Sequence, residues 1–165
     1  MTSDPLPLIT LEGTFYRAVD PQYRDYALSG SRNPGRYSRA DQPTLYLSST
    51  PDGVEAAMIA HRDQHSAGLT LVEVSVQASG IFDLRDAESR AVAGLRLGDA
   101  TAEWKQLVAA GIEPSSWRVR RELEERGAQG LVDPSRKAPG LWHLVLFRWN
   151  EPGAAQVQLL DPTVG

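Results

Sequence analysis

LTLVEVSVQ, residues 69–77, decides the fold class because apolar and polar side chains alternate along it. A period of two residues is that of a β-strand with one buried face, so this stretch predicts a strand. Six further stretches are shorter but also predict strands from their β-branched and aromatic residues. They are Thr14–Val19, Thr44–Ser48, Ile81–Leu84, Gly130–Val132, Leu144–Phe147 and Gln156–Leu160.

Five stretches predict helices around these strands. They are Pro21–Leu28, Thr50–Gln64, Asp86–Leu95, Ala100–Ala110 and Pro114–Arg126. Thr50 suits the N-cap of the second helix, with Pro51 in its first turn, and Gly127 ends the last. Because strands and helices do not alternate regularly, we expect an α+β fold with short, mostly antiparallel strands flanked by helices. We expect one domain over residues 1–165, with a core at about 14–160.

The composition restricts the function. The net charge of −4 argues against broad nucleic-acid binding, which needs a basic face. The absence of cysteine excludes disulfides, thiolate metal sites and cysteine nucleophiles. MTSDPLPLITLEG at the start lacks a basic, signal-like region, and no stretch approaches the ~18 apolar residues of a membrane span. These features predict a soluble cytoplasmic protein that does not enter membranes.

Two common catalytic arrangements find little support in the sequence. His61 and His65 share a helix face, but Arg62 stands where a zinc protease needs glutamate, and only His143 remains as a third imidazole. No G-x-S-x-G motif indicates a serine hydrolase. We therefore expect no metal and no serine–histidine triad.

Two loops carry residues that suit ligand binding. SGSRNPGRYSRADQP, residues 29–43, combines Arg32, Arg36 and Arg39 with two glycines, and guanidinium groups match phosphate geometry. Ser135 lies in a second loop, between two apolar stretches. Each also has a purely structural explanation, namely solvated arginines and a turn serine. Glu55 lies near a predicted helix start, where a carboxylate commonly stabilises the helix dipole.

The order of five short motifs resembles the RES-domain family. The motifs are FYRAV around Arg17, NPGRYS around Arg36, TLYLSST around Tyr46, GVEAAMIAH around Glu55 and DPSRKAPGLWHLVLF around Ser135. Together they span about residues 14–148. Each motif is weakly specific, but their order is moderately specific for the family.

The resemblance implies an ADP-ribosyltransferase-like fold that uses NAD⁺ as its substrate. Such proteins are toxins of bacterial toxin–antitoxin pairs and are restrained by a cognate antitoxin with a helix-turn-helix domain of Xre type. Some members degrade NAD⁺ by hydrolysis or phosphorolysis. Others transfer ADP-ribose to a host protein, including the enzyme that makes phosphoribosyl pyrophosphate. A non-enzymatic partner-binding module, a homodimer and a hetero-oligomer with the antitoxin stay open as alternatives.

The resemblance also implies the catalytic residues, namely Arg17, Glu55 and Ser135. Cleavage at the nicotinamide bond passes through a ribose oxocarbenium ion, which a carboxylate such as that of Glu55 can stabilise. Many family members carry this glutamate four residues before a histidine, whereas Glu55 lies six before His61. On a helix this difference turns the side chain by roughly 200°.

The expected NAD⁺-binding residues are Arg17, Arg36, Tyr37, Tyr46 and Ser135. The two arginines suit the diphosphate, and Tyr46 or Tyr37 can stack on nicotinamide. Ser135 can hydrogen-bond the ribose or the carboxamide. Tyr37 stands where the family usually has tryptophan.

Overall fold

The computed structural model describes residues 5–52, 70–134 and 140–160, without the side chains of Pro21 and Tyr23. Six strands lie in these ranges: β1 (Leu8–Val19), β2 (Leu45–Ser48), β3 (Thr70–Asp83), β4 (Gly130–Pro134), β5 (Trp142–Leu146) and β6 (Gln156–Leu159). The helices of these ranges are a 3₁₀ helix (Pro21–Tyr26), α1 (Ala87–Ala93), α2 (Leu97–Thr101), α3 (Lys105–Ala109) and α4 (Ser115–Glu125).

The strands form a small barrel-like sheet. Their order is β1-β2-β5-β4-β3-β6, and β1 also pairs with β3, which closes the first five strands on themselves. Only β3 and β4 are parallel among these pairs, so the predicted mixture of helices with mostly antiparallel strands is confirmed.

Two strands are longer than the sequence predicted. β1 has 12 residues and β3 has 14, because they pair with each other along almost their whole length. β3 joins the two strands predicted at Leu69–Gln77 and Ile81–Leu84. Gly80 makes this continuity possible, since its φ of +70° fits the irregular register that lies opposite the start of β1.

Apolar side chains fill both sides of the sheet. The barrel core lies on the inner face and includes Phe15, Leu45, Leu47, Val74, Val76, Ile81, Val132, Leu144 and Leu146. The helix-side core lies between the outer face and the helices, and it includes Leu6, Tyr37, Phe82, Leu84, Ala100, Val119, Leu123, Leu131, Val145 and Phe147. β2 contributes to both, because successive side chains of a strand point to opposite faces.

The helix predicted at Ala100–Ala110 is wrong, because the chain forms α2 and α3 with a break between them. Ala102 is extended there, with φ −64° and ψ 160°. The guanidinium of Arg36 donates to the carbonyls of Ala100 and Ala102, which removes two acceptors from a continuous helix.

The other helices agree better with the sequence. α1 and α4 confirm the predictions at Asp86–Leu95 and Pro114–Arg126, and α1 ends at the left-handed Gly94. The predicted helix after Thr50 begins with two helical residues, and the rest of it lies outside the described residues. Within the described ranges, no helix has the length and apolar character that crossing a membrane requires.

Candidate functional site

Arg17 is half-buried, and its guanidinium has a buried donor without a partner among the described residues. It lies on β1 opposite Val72, on the same face of the strand as Phe15. Its Nη1 donates to the carbonyl of Tyr46 on β2 over 3.2 Å. Its Nε is buried and finds no hydrogen-bond partner among the described residues. Burial lowers the pKa of the Arg17 guanidinium from its ordinary value.

The surroundings of Arg17 suit an anionic ligand. Among residues 5–52, 70–134 and 140–160, no carboxylate forms an ion pair with it. A buried charge is costly unless it is paired and hydrogen-bonded, and arginine forms its strongest hydrogen bonds with carboxylates and phosphates. An anion that reached Nε would supply the missing partner.

Arg36 has a different environment, although the sequence grouped it with Arg17. Its Nη1 donates to the carbonyls of Ala100 and Ala102 over 3.2 and 2.8 Å. Its own carbonyl accepts a hydrogen bond from the Ser116 hydroxyl, at the start of α4. The structure therefore uses Arg36 to join the arginine-rich loop to the helices.

Tyr37 and Tyr46 meet through hydrogen bonds rather than through stacked rings. The Tyr46 hydroxyl accepts from the backbone N of Tyr37 over 3.1 Å and shares a 2.7 Å hydrogen bond with the Ser38 hydroxyl. Tyr37 is fully buried, and its hydroxyl donates to Asp133 Oδ1 over 2.5 Å. In this conformation Tyr37 offers no ring face to nicotinamide, so of the two predicted stacking residues only Tyr46, which is half-buried, keeps some exposed surface.

Arg120 completes this group of polar residues, although no sequence motif indicated it. Only 3% of it is exposed, although its helix is rich in charged residues of both signs. Its Nη1 donates to the Tyr37 carbonyl and to Thr44 Oγ1, and its Nε donates to Glu124. Val119 and Leu123 are spaced four residues apart, which predicts that their face of the helix is buried. Arg120 lies beside Val119, so this spacing was the signal in the sequence that could have indicated its burial. We call Arg36, Tyr37, Tyr46, Arg120 and Asp133 the loop network.

A polar row crosses the sheet beside the loop network. Backbone register places Tyr16 opposite Ser48, Ser48 opposite His143, and His143 opposite Asp133. The Ser48 hydroxyl and His143 Nδ1 share a 2.9 Å hydrogen bond. Burial lowers the pKa of His143, which favours the neutral imidazole.

The structure brings together only part of the predicted site. Arg17 donates to the backbone carbonyl of Tyr46, and the Tyr46 hydroxyl accepts from the backbone N of Tyr37. Arg36 and Tyr37 both lie within hydrogen-bond distance of the Ala100 carbonyl. Glu55 and Ser135 lie outside the described residues, as do His61 and His65. Ser135 directly follows Pro134, the last residue of β4, which pairs with Trp142. In the part of the chain that the structure describes, no three histidine, aspartate or glutamate side chains gather as a metal site would require.

Comparison with known proteins identifies a family and a fold. A family model described as RES domain matches residues 14–164. Among solved structures, the chain resembles the MbcT toxin in the crystal structure of the M. tuberculosis MbcT–MbcA toxin–antitoxin complex, with a TM-score of 0.60. The two chains are 18% identical over 95% of this chain and 88% of the other. No curated protein matches the chain.

Proposed function

Because the chain belongs to the RES domain family, we propose that it is the toxin of a bacterial toxin–antitoxin pair and cleaves the nicotinamide–ribose bond of NAD⁺. The proposed fold relationship is ADP-ribosyltransferase-like. The reaction degrades NAD⁺ by hydrolysis or phosphorolysis and thereby arrests growth. The fold shared with the MbcT toxin supports the toxin role.

The observation that carries this proposal is the buried Nε of Arg17, which has no hydrogen-bond partner among the described residues. Nη1 of the same guanidinium donates to a backbone carbonyl. NAD⁺ carries two linked phosphates whose oxygens accept hydrogen bonds from such a group. The FYRAV motif of the family resemblance and the unpartnered donor in the structure therefore both indicate Arg17.

The chemistry requires few groups beyond a cation site and a carboxylate. The C1′–N bond breaks with its electron pair going to nicotinamide, which leaves as a neutral molecule, so no general acid is needed. The oxocarbenium ion that remains is stabilised by the carboxylate of Glu55. Water or phosphate adds to C1′ and a proton is released. In this proposal Ser135 hydrogen-bonds the ribose or the carboxamide.

The remaining predicted residues take supporting roles in this proposal. Tyr46 presents the aromatic surface for nicotinamide, while its backbone carbonyl positions Arg17. Arg36 and Tyr37 fix the arginine-rich loop that precedes β2. Their polar groups already bond to other parts of the protein, namely Ala100, Ala102 and Asp133. This assignment moves Arg36 and Tyr37 away from direct contact with NAD⁺.

The proposed partner is an antitoxin, since an enzyme that destroys NAD⁺ would harm its own cell. The MbcT toxin was solved together with its antitoxin MbcA. For this chain we propose a cognate Xre-type antitoxin with an acidic segment that binds at Arg17.

The test is to incubate the purified protein with NAD⁺ in phosphate-free and phosphate buffers and to identify the products. Free ADP-ribose indicates hydrolysis, and ADP-ribose 1″-phosphate indicates phosphorolysis. ADP-ribose attached to a protein, formed only when a cell extract is added, indicates the transferase alternative. An absence of all three, with no growth inhibition on expression, contradicts the proposal.

Glu55→Gln tests the role of the carboxylate. We expect NAD⁺ turnover to fall by about 100-fold or more, because the amide cannot neutralise the oxocarbenium ion. Glu12→Gln, an exposed glutamate on β1, is the matched control and should turn over NAD⁺ like the wild type. Equal turnover by Glu55→Gln and the wild type would remove Glu55 from the mechanism.

A further inference from the structure

Two buried polar atoms without hydrogen bonds lie at neighbouring positions of the sheet. One is Nε of Arg17 and the other is the hydroxyl oxygen of Ser49, and neither has a hydrogen-bond partner among the described residues. Ser49 directly follows β2, within the motif TLYLSST. Buried polar atoms are nearly always hydrogen-bonded, so two neighbouring exceptions call for a common explanation.

Strand pairing places the two side chains on the same face. Tyr16 of β1 pairs with Ser48 of β2, and the side chains of these two residues share one face of the sheet. Because side chains alternate along a strand, the next residues, Arg17 and Ser49, both point to the other face. Arg17 and Ser49 are therefore diagonal neighbours, with about 7–8 Å between their Cα atoms. Ser48, by contrast, already shares a hydrogen bond with His143.

Hydrogen bonds hold the main chain of Ser49 and the side chain of Arg17 in place. The N–H of Ser49 donates to the carbonyl of Trp142 over 3.1 Å, which joins this residue to β5. Nη1 of Arg17 donates to the carbonyl of Tyr46 over 3.2 Å, which draws the guanidinium toward β2. These two bonds fix the backbone of Ser49 and the guanidinium of Arg17 before any ligand binds.

We propose that Ser49 is a further binding residue and that Arg17 Nε and Ser49 Oγ together hold one phosphate group of a nucleotide diphosphate. Both atoms can donate a hydrogen bond, and a phosphate offers several acceptor oxygens in a tetrahedral arrangement that can reach two separate donors. The identity of the nucleotide as NAD⁺ rests on the proposed function. The assignment of the bound group as a phosphate rests on the two hydrogen-bond donors that lack partners among the described residues.

The missing hydrogen bond of Ser49 has a measurable consequence for the free protein. A buried hydroxyl without a partner destabilises the fold, so Ser49→Ala removes an unfavourable group. We expect the melting temperature of Ser49→Ala to equal or exceed that of the wild type. A serine with only a structural role would lower the melting temperature when it is replaced.

The experiment measures ADP and adenosine binding to the full chain by calorimetry, together with thermal unfolding. We expect wild type to bind ADP more tightly than adenosine, and Ser49→Ala to lose about tenfold or more of its ADP affinity with adenosine affinity unchanged. Ser49→Thr keeps the hydroxyl and should keep the ADP affinity. Ser75→Ala, a half-buried strand serine on β3, is the control and should bind ADP like the wild type.

The outcomes separate this inference from the proposed function. Wild-type affinity for ADP in Ser49→Ala overturns the inference, as does a wild type that binds neither ADP nor NAD⁺. A loss of affinity for ADP and adenosine alike, accompanied by a lower melting temperature, also overturns it. A selective loss of ADP affinity supports the phosphate site even if the wild type consumes no NAD⁺, in which case only the proposed function fails.

Discussion

Arg17 is half-buried and Arg120 is fully buried, and the hydrogen bonds of their guanidinium groups distinguish a candidate binding residue from a structural one. Arg120 donates to Tyr37, Thr44 and Glu124, and its guanidinium lies 4.6 Å from the centre of the Phe147 ring. Arg17 has one bond to a backbone carbonyl and a buried Nε without a partner among the described residues. Loss of a buried cation that bonds several protein groups destabilises the fold, whereas a cation with an unpartnered donor is available to a ligand.

The largest effect should come from Arg17→Met, which removes the charge and keeps an apolar side chain of similar length. We expect NAD⁺ turnover to fall by about 100-fold or more and growth inhibition to be lost, because the diphosphate loses its buried cation. The free energy of unfolding should change little, since no ion pair to a described residue is broken. Turnover assays and urea denaturation measure the two quantities.

Arg24→Met is the control for this comparison. Arg24 also donates to a single backbone carbonyl, that of Leu160, over 2.9 Å. Because Arg24 has no role in the proposed site, the Arg24→Met variant should retain wild-type turnover. If Arg17→Met kept its activity but unfolded more easily, Arg17 would resemble Arg120 and the contrast between the two arginines would be lost.

Arg120→Met should produce the largest loss of stability. The substitution leaves the acceptors of Tyr37, Thr44 and Glu124 without their donor, so the free energy of unfolding should fall by about 3 kcal/mol. For a chain of this size that corresponds to a melting temperature lower by about 6–12 °C. A change within about 1 kcal/mol in urea denaturation would show that the loop network does not depend on this cation.

Tyr37→Phe tests a single hydrogen bond of the loop network. The ring remains in the helix-side core, but the bond from its hydroxyl to Asp133 is lost. We expect a loss of about 1–2 kcal/mol in the free energy of unfolding, with NAD⁺ turnover reduced far less than in Arg17→Met. If turnover fell by about 100-fold at unchanged stability, Tyr37 would belong to the binding site after all.

Sequence periodicity predicted those parts of the fold that depend on local patterns. Alternation placed the strand at 69–77, and Gly127 placed the end of the helix at 114–126. The break between α2 and α3 could not be predicted locally, because it depends on Arg36, which is more than 60 residues away in the chain. The continuity of β3 through Gly80 likewise depends on its pairing with β1.

The candidate site likewise contains residues that the sequence motifs indicated and residues whose role depends on contacts distant in the chain. Motif order selected Arg17 and Tyr46, which the structure joins by a hydrogen bond. It could not separate Arg36 from Arg17, because the acceptors of Arg36 lie on a distant segment of the chain. Ser49 was within a quoted motif, but only burial and the absence of a hydrogen bond to any described residue distinguish it from Ser48.

The smallest expected effect concerns His143, whose Nδ1 is bonded to Ser48 between the neighbouring positions of Tyr16 and Asp133. Burial lowers the pKa of His143 below its ordinary value of 6.5, so the unfolded chain binds a proton at a higher pH than the folded chain does. Above that ordinary value both states are neutral. As the pH falls below it, the wild type should lose stability relative to His143→Gln, whose side chain does not titrate.

Urea denaturation of the wild type and His143→Gln at pH 7.5 and pH 5.5 measures this difference. Comparing the two proteins at each pH cancels the titration of the carboxylates that they share. We expect the free energy of unfolding of the wild type, relative to the variant, to be lower at pH 5.5 than at pH 7.5. A relative gain in acid would mean that His143 is stabilised as a cation, and it would then belong with Arg120, as a buried charge with partners, rather than with the neutral hydrogen-bonded groups of the row.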